Sequence, residues 1–214
     1  MPVRSGRRPS SLLLVLAAAS AVTMLGLGVG GVVTAPNSTV PGTARDMHGD
    51  PVRLEAPVAS APGARATSSG SGRLSVPSVH LDVPLGALDA VRGRITPPGF
   101  RSAYLVRDVG VAPEHAPSGT VVVVMHSLRG GGTAPGNFLT DVDRGRSRVA
   151  TGATVTVAGV AYTVTGSTLV DKDRIADDAD VWARVPDRLL LITCLERPDG
   201  SPSTQNLVIT ATRA

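Results

Sequence analysis

From residue 73 onward, short apolar runs alternate with segments rich in Pro, Gly and polar residues. The two strongest runs are GTVVVVM at 119–125 and LLLITC at 189–194. Apolar runs of this length, rich in Val, Ile and Thr, are typical of buried strands. Each run is followed directly by polar or glycine-rich sequence, so both strands are predicted to end near a rim of the folded domain.

Weaker patterns predict the remaining strands. Residues 74–85 alternate apolar and polar positions with prolines between them, as short edge strands do. Two runs at 154–159 and 160–165 predict strands joined at a glycine-containing turn, and 207–212 predicts a final strand. Residues 97–118 and 127–137 read as loops, and the acidic stretch at 171–184 as irregular chain with a short helix. Short strands without a long amphipathic helix predict an all-β barrel or sandwich.

The N-terminal third has a different organisation. Residues 11–33 carry no charge, and 23 residues of helix at about 1.5 Å each would cross a hydrocarbon core of ~30 Å. Residues 1–10 contain three arginines and are predicted to be a cytoplasmic tail, with the rest of the chain outside the cell membrane. A cleaved signal peptide processed at 33–35 is the alternative; the length of the apolar run favours a single-pass anchor.

Residues 34–72 are rich in Pro, Gly, Ala, Ser and Thr and predict a flexible stalk before a folded domain at 73–214. Of the net charge of +4, about +3 lies in residues 1–72, where six arginines face three acids. The folded domain is then nearly neutral, and aromatics make up 2% of the chain. The absence of a basic stripe with interleaved aromatics argues against binding of nucleic acid.

Cys194 is the only cysteine of the chain and ends one of the two strong strands. Thiol chemistry needs a thiolate, which a nearby histidine can generate. Of His48, His80, His115 and His126, only His126 likewise ends a strong apolar strand. Two strand ends of one barrel can open on the same rim, which makes His126 the predicted partner. The alternative is an inert buried cysteine.

These residues resemble a known family. Leu191, Ile192, Thr193 and Cys194 resemble the T-L-x-T-C signature of sortases, the membrane-anchored cysteine transpeptidases of Gram-positive bacteria. The strand at 121–125 followed by His126 resembles the sortase strand that ends in the catalytic histidine. The order of anchor, stalk, proline-interrupted first strand, His, Cys and final strand is also similar, so that the resemblance covers residues 73–214 and the N-terminal layout. The Arg-rich, Lys-poor composition looks actinobacterial, with class E/F-like sortases the nearest group.

The resemblance implies a closed sortase-type β-barrel of about eight strands with short helices. Cys194 would be the nucleophile that cleaves the Thr–Gly bond of an LPxTG-like sorting signal and forms a thioacyl enzyme. His126 would be the general acid and then the general base. The acceptor would be an amine of lipid II, of peptidoglycan or of a pilin lysine, and neither a cofactor nor a metal is implied.

The sequence also departs from the family pattern. Sortases usually carry an Arg at the start of the last strand, where residues 203–206 read STQN. Arg197 is the predicted replacement as oxyanion donor, with Asn206 as the alternative. Met125 stands where sortases often have Gly. The acidic run at 171–180 does not match an EF-hand loop, so a solvated loop is predicted there rather than a calcium site.

Three other functions stay open. A thiol peptidase would hydrolyse the same kind of signal with the same residues. A membrane-tethered β-domain that binds cell-wall polymer would leave Cys194 without a catalytic role. L,D-transpeptidases also use Cys and His, but the Ser-x-Gly-Cys pattern of that class does not occur at Cys194.

Overall fold

The short apolar runs pair into one closed eight-stranded barrel, in a computed structural model that describes residues 44–52 and 61–214. The order around the barrel is β1-β2-β3-β4-β9-β10-β8-β7, and a separate small hairpin is formed by β5 and β6. The strands are β1 (Thr67–Val76), β2 (Leu81–Leu88), β3 (Ala103–Val106), β4 (Thr120–Val124), β5 (Thr140–Asp141), β6 (Arg146–Ser147), β7 (Thr154–Val157), β8 (Val160–Asp171), β9 (Arg188–Leu195) and β10 (Gln205–Arg213).

Helices are short. The α-helices are α1 (Pro135–Leu139) and α2 (Ala179–Trp182), and 3-10 turns cover Pro62–Ala64, Pro77–Val79, Pro113–Ser118 and Ile175–Asp177. The predicted all-β barrel with short helices is therefore confirmed. Within the described ranges, no helix is long and apolar enough to span a membrane. The predicted tail at 1–10 and anchor at 11–33 lie outside these ranges.

Two apolar layers explain why the strongest runs are continuous rather than alternating. In β4, Val121 and Val123 point into the barrel core, while Val122 and Val124 belong to a second cluster on its outer face. In β9, alternate residues divide in the same way between the core and the outer cluster, which Tyr104 and Val181 help to cover. Because both faces of these strands are buried, apolar residues occupy every position.

The β7–β8 hairpin is the predicted pair of strands joined at a glycine-containing turn. Val157 pairs with Val160 across Ala158 and Gly159, whose φ angles of 48° and 85° are those of a two-residue hairpin turn. β8 continues to Asp171, well beyond the predicted end at 165, because its second half pairs with β10. That half is largely exposed and polar, so its sequence has no strand periodicity.

Two further strand segments lie where the sequence predicted none. β3 falls within residues 97–118, which the sequence predicts as loop. A parallel pairing with β2 holds β3 in place, and its four residues among Pro and Gly form too short a run to predict a strand. β1 begins at Thr67, before the predicted domain start at 73, because its Ser- and Gly-rich beginning pairs with β2 through the backbone. Residues 44–52 belong to the predicted flexible stalk and are also described by the structure. They contact the barrel domain, because buried Asp46 accepts a hydrogen bond from the Thr133 amide at 3.0 Å.

Candidate active site

The two strand ends that carry His126 and Cys194 are neighbours. β4 and β9 run parallel, with Val124 paired to Ile192, and the Met125 amide donates to the Ile192 carbonyl at 3.1 Å. Two residues further along each strand are His126 and Cys194. The parallel register therefore places both on the same rim and on the outer face of the barrel, where Val124 and Ile192 also point. The structure brings together the two residues that the sequence analysis paired.

Asn206 completes a row of three on this rim. It pairs with Cys194 across the antiparallel β9–β10 ladder, a position that sets the two Cβ atoms about 4.5–5.5 Å apart. The predicted donor Arg197 lies in the exposed loop after β9, where its guanidinium meets Asp199 at 3.4 Å. The oxyanion role of either residue stays a prediction.

The His126 ring is fixed in position by two contacts. Its Nε2 lies 3.0 Å from the Pro97 carbonyl oxygen, and the Phe100 ring lies 4.8 Å away, centroid to centroid. Because a carbonyl oxygen can only accept, Nε2 carries the proton of the neutral ring and Nδ1 is left as the base. Burial lowers the pKa of His126; the bond to Pro97 opposes this, and the charge of Lys172 adds to it. The imidazole is consequently neutral and able to accept a proton near pH 7.

Cys194 is also held in its neutral form. Its side chain is half-buried, and burial raises the pKa of the thiol. The charge of Lys172 lowers that pKa, the charge of Glu196 raises it, and a hydrogen-bonding contribution from Lys172 lowers it again. A neutral thiol beside a neutral imidazole can react by giving its proton to the imidazole as the sulfur attacks.

Short polar contacts hold the ends of β4 and β9 together behind these side chains. The Ser127 and Thr193 hydroxyls are 3.0 Å apart and buried, and the Gly136 amide donates to the His126 carbonyl at 2.8 Å. Gly136 fits this spot because it has no side chain: a Cβ there would meet Thr193 Oγ1 at 1.9 Å. The backbones of His126 and Cys194 are thus pre-positioned by tight packing of α1 against the rim.

The glycine-rich loop after His126 is fixed by one side chain. Asn137 Oδ1 accepts from the Leu128 and Ala134 amides at 2.9 and 2.8 Å, and its Nδ2 donates to the Leu128 carbonyl at 2.7 Å. This loop forms part of the wall of an open cavity of about 830 Å³ that is also lined by His126, Lys172 and Glu196. Cys194 is not among the residues that line the cavity.

The acidic run at 171–180 has structural contacts of its own. Asp178 accepts hydrogen bonds from the Asp180 and Val181 amides at the start of α2, and Asp171 accepts one from Gln205 at 3.0 Å. Throughout residues 44–52 and 61–214, His, Cys, Asp and Glu side chains form no group of three or more that could hold a metal ion.

Structural comparison finds solved sortases, at low sequence identity. Sortase A of Listeria monocytogenes is 19% identical with a TM-score of 0.46, covering 67% of this chain and 86% of that one. The pilus-related sortase C of Group B Streptococcus is 19% identical with a TM-score of 0.49, covering 69% of each chain. Sortase C-1 of Actinomyces oris is 20% identical with a TM-score of 0.46, covering 67% of this chain and 73% of that one. No family model matches the chain, and no curated protein matches it significantly.

One charged residue beside this pair, Lys172, is not predicted by the sequence pattern. Lys172 follows β8 directly, and its charge affects the pKa of both Cys194 and His126. In the sequence Lys172 lies within an acidic stretch, which predicts a solvated loop. A signal was nevertheless present, since Lys172 is the only lysine in the chain.

Proposed function

We propose that this chain is a sortase-type cysteine transpeptidase that cleaves an LPxTG-like sorting signal and transfers the acyl group to an amine. The observation that carries the proposal is the register of β4 and β9, which sets His126 beside Cys194 on one rim of the barrel. The Thr193-Cys194 sequence near the end of β9 and the resemblance described above support the choice of this family among cysteine enzymes.

The chemistry follows from the two neutral side chains. His126 Nδ1 takes the thiol proton while Cys194 Sγ adds to the carbonyl carbon of the scissile peptide bond. The tetrahedral adduct collapses, the C–N bond breaks, and His126 returns the proton to the leaving amine. A thioester then remains on Cys194. An incoming amine gives a proton to His126, attacks the thioester and releases the thiol, which divides one difficult step into two.

The proposal includes the location and the partners of the enzyme. Residues 11–33 would anchor it in the cell membrane by a single span, with the catalytic domain outside the cytoplasm. The acceptor would be an amine of lipid II, peptidoglycan or a pilin. An actinobacterial, class E/F-like assignment is supported by the Arg-rich composition.

The test is acceptor-dependent product formation. The purified protein is incubated with a panel of LPxTG-type peptides, with and without an amine such as triglycine, and the products are identified by mass spectrometry. A peptide–glycine conjugate that disappears in Cys194→Ala supports the transpeptidase. Cleavage without any conjugate at high amine concentration would favour the thiol peptidase instead. Neither product with any peptide would favour a non-catalytic cell-wall-binding domain.

A further inference from the structure

A thiol that adds to a carbonyl needs two kinds of stabilisation at its site. The thiolate must form in a half-buried place, and negative charge then moves to the substrate oxygen. Because His126 and Cys194 are both neutral at rest, neither supplies a fixed positive charge. A fixed positive charge at this site would therefore belong to another residue whose side chain faces the same rim.

Lys172 is held at that rim by its backbone. Its amide donates to the Thr204 carbonyl at 2.9 Å, which fastens the end of β8 to the segment leading into β10. β10 in turn pairs with β9 at the position of Cys194. Lys172 is an exposed residue, and it lines the same cavity as His126 and Glu196. A fixed backbone with a mobile four-carbon side chain lets the ammonium follow charge from sulfur to oxygen.

The charged groups around the thiol are few. Besides burial, which raises the pKa of Cys194, the charge of Lys172 lowers that pKa and the charge of Glu196 raises it. Burial also raises the pKa of Glu196, and the charges of Lys172 and Arg129 lower it. The charge of Lys172 also adds to the lowering of the His126 pKa that burial causes. Arg197 lies in the exposed loop and is paired with Asp199. Among the described residues, Lys172 is therefore the cation whose charge reaches both members of the Cys–His pair.

We propose that the Lys172 ammonium stabilises first the thiolate of Cys194 and then the oxyanion that forms when this thiolate adds to a substrate carbonyl. This inference rests on the proposed function and names the cation of its site. In the step, the Sγ–C bond forms and the carbonyl electron pair moves to oxygen, where Lys172 donates a hydrogen bond. When the pair returns, the leaving group departs and Lys172 again faces sulfur.

Two small electrophiles separate these effects without a sorting peptide. p-Nitrophenyl acetate acylates a thiolate through a tetrahedral oxyanion and releases p-nitrophenolate. Iodoacetamide alkylates the same thiolate by displacing iodide, with no oxyanion. The rates of acylation and alkylation are measured at the same pH on the full chain. Because both rates are proportional to the fraction of Cys194 present as thiolate, that fraction cancels in their ratio. The ratio thus reports oxyanion stabilisation, while the pH at half-maximal alkylation reports thiolate stabilisation.

In Lys172→Met we expect the ratio of acylation to alkylation to fall at least about 10-fold, towards the ~10²–10³-fold loss typical of a removed oxyanion donor. The alkylation midpoint should move to higher pH. Lys172→Arg, which keeps a cationic donor, should restore most of the ratio. Arg174→Met removes a nearby exposed positive charge from the same loop and should leave both readouts unchanged.

An unchanged ratio in Lys172→Met would overturn the proposal, and so would a fall in Arg197→Met instead. A shift of the midpoint with an unchanged ratio would also overturn it, because the oxyanion role would be absent. These outcomes are distinct from failure of the proposed function, which would appear as wild-type protein that transfers no peptide. Since Lys172 is exposed, loss of folding in its variants is not expected, and circular dichroism checks this.

Discussion

Replacing Gly136 by Ala should damage the rim that holds His126 and Cys194. The added methyl would lie 1.9 Å from Thr193 Oγ1, 2.5 Å from Ser127 Oγ and 2.7 Å from the His126 carbonyl oxygen. All three distances are shorter than any real contact of a methyl carbon, and the third atom belongs to the backbone. α1 must therefore move away from the ends of β4 and β9.

The magnitude follows from two costs. Overpacking of a tight site costs about 1–3 kcal/mol. Separating the buried Ser127 and Thr193 hydroxyls leaves polar groups without partners, at about 1–3 kcal/mol. The alanine also restricts the unfolded chain, which stabilises the folded state by about 0.4–1 kcal/mol. We expect a net loss of about 2–4 kcal/mol, which for a domain of this size lowers Tm by roughly 4–16 °C.

Thermal and urea unfolding, followed by circular dichroism, measure this loss. The matched control is Gly166→Ala in β8, where no atom lies within 4 Å of the added Cβ, and its stability should change by less than about 1 kcal/mol. Adding Thr193→Ala to Gly136→Ala removes the closest atom, so the double variant should lose less than the sum of the single losses. Wild-type stability in Gly136→Ala, or strict additivity in the double variant, would refute the packing argument.

Three further predictions test other parts of the molecule. Because burial raises the pKa of Cys194, the pH midpoint of iodoacetamide alkylation should be higher for native protein than for urea-unfolded protein. The charge of Glu196 also raises this pKa, so Glu196→Gln should lower the native midpoint. Equal midpoints in native and unfolded protein would contradict this assignment. Asp89 bonds Arg107 and Arg65 at 2.9 and 2.5 Å, which lowers the pKa of its carboxyl, so Asp89→Asn should lower Tm at pH 7. That difference from wild type should vanish as pH falls through the folded pKa, below the usual value of about 3.9, and a constant difference would argue against an ionic cause. Asn137→Ala should cost about 1–3 kcal/mol and speed hydrogen exchange at 128–134, whereas Asn137→Asp keeps the acceptor and should lose less.

The strands with both faces buried were predictable from the sequence. The valines of β4 and the leucines of β9 stand at consecutive positions, a pattern that is typical of a strand buried on both faces. The pairing of His126 with Cys194 followed from their equivalent places at the ends of the two apolar runs. That β4 and β9 are direct parallel neighbours was not predictable, because this contact joins segments about sixty residues apart through the closure of the whole barrel.

The remaining features depend on partners that a linear pattern does not contain. β3 and the first half of β1 are strands because β2 supplies their backbone hydrogen bonds, and neither has a distinctive apolar run. The sequence around Lys172 predicts an acidic loop, and the position of Lys172 at the rim depends on how β8 extends along β10. The Pro97 carbonyl that orients His126 is a backbone atom, which no side-chain motif can reveal.

The most direct test of the central claim is the mass of the intact protein after brief reaction with a sorting-type peptide and acid quenching. We predict an adduct equal to the acyl fragment up to the Thr of the signal, located on Cys194, absent in Cys194→Ala and strongly reduced in His126→Ala. Addition of triglycine should remove the adduct and release a conjugate of the same acyl fragment. Peptide cleavage that persists in Cys194→Ala, or an acyl group found on another residue, would contradict the account.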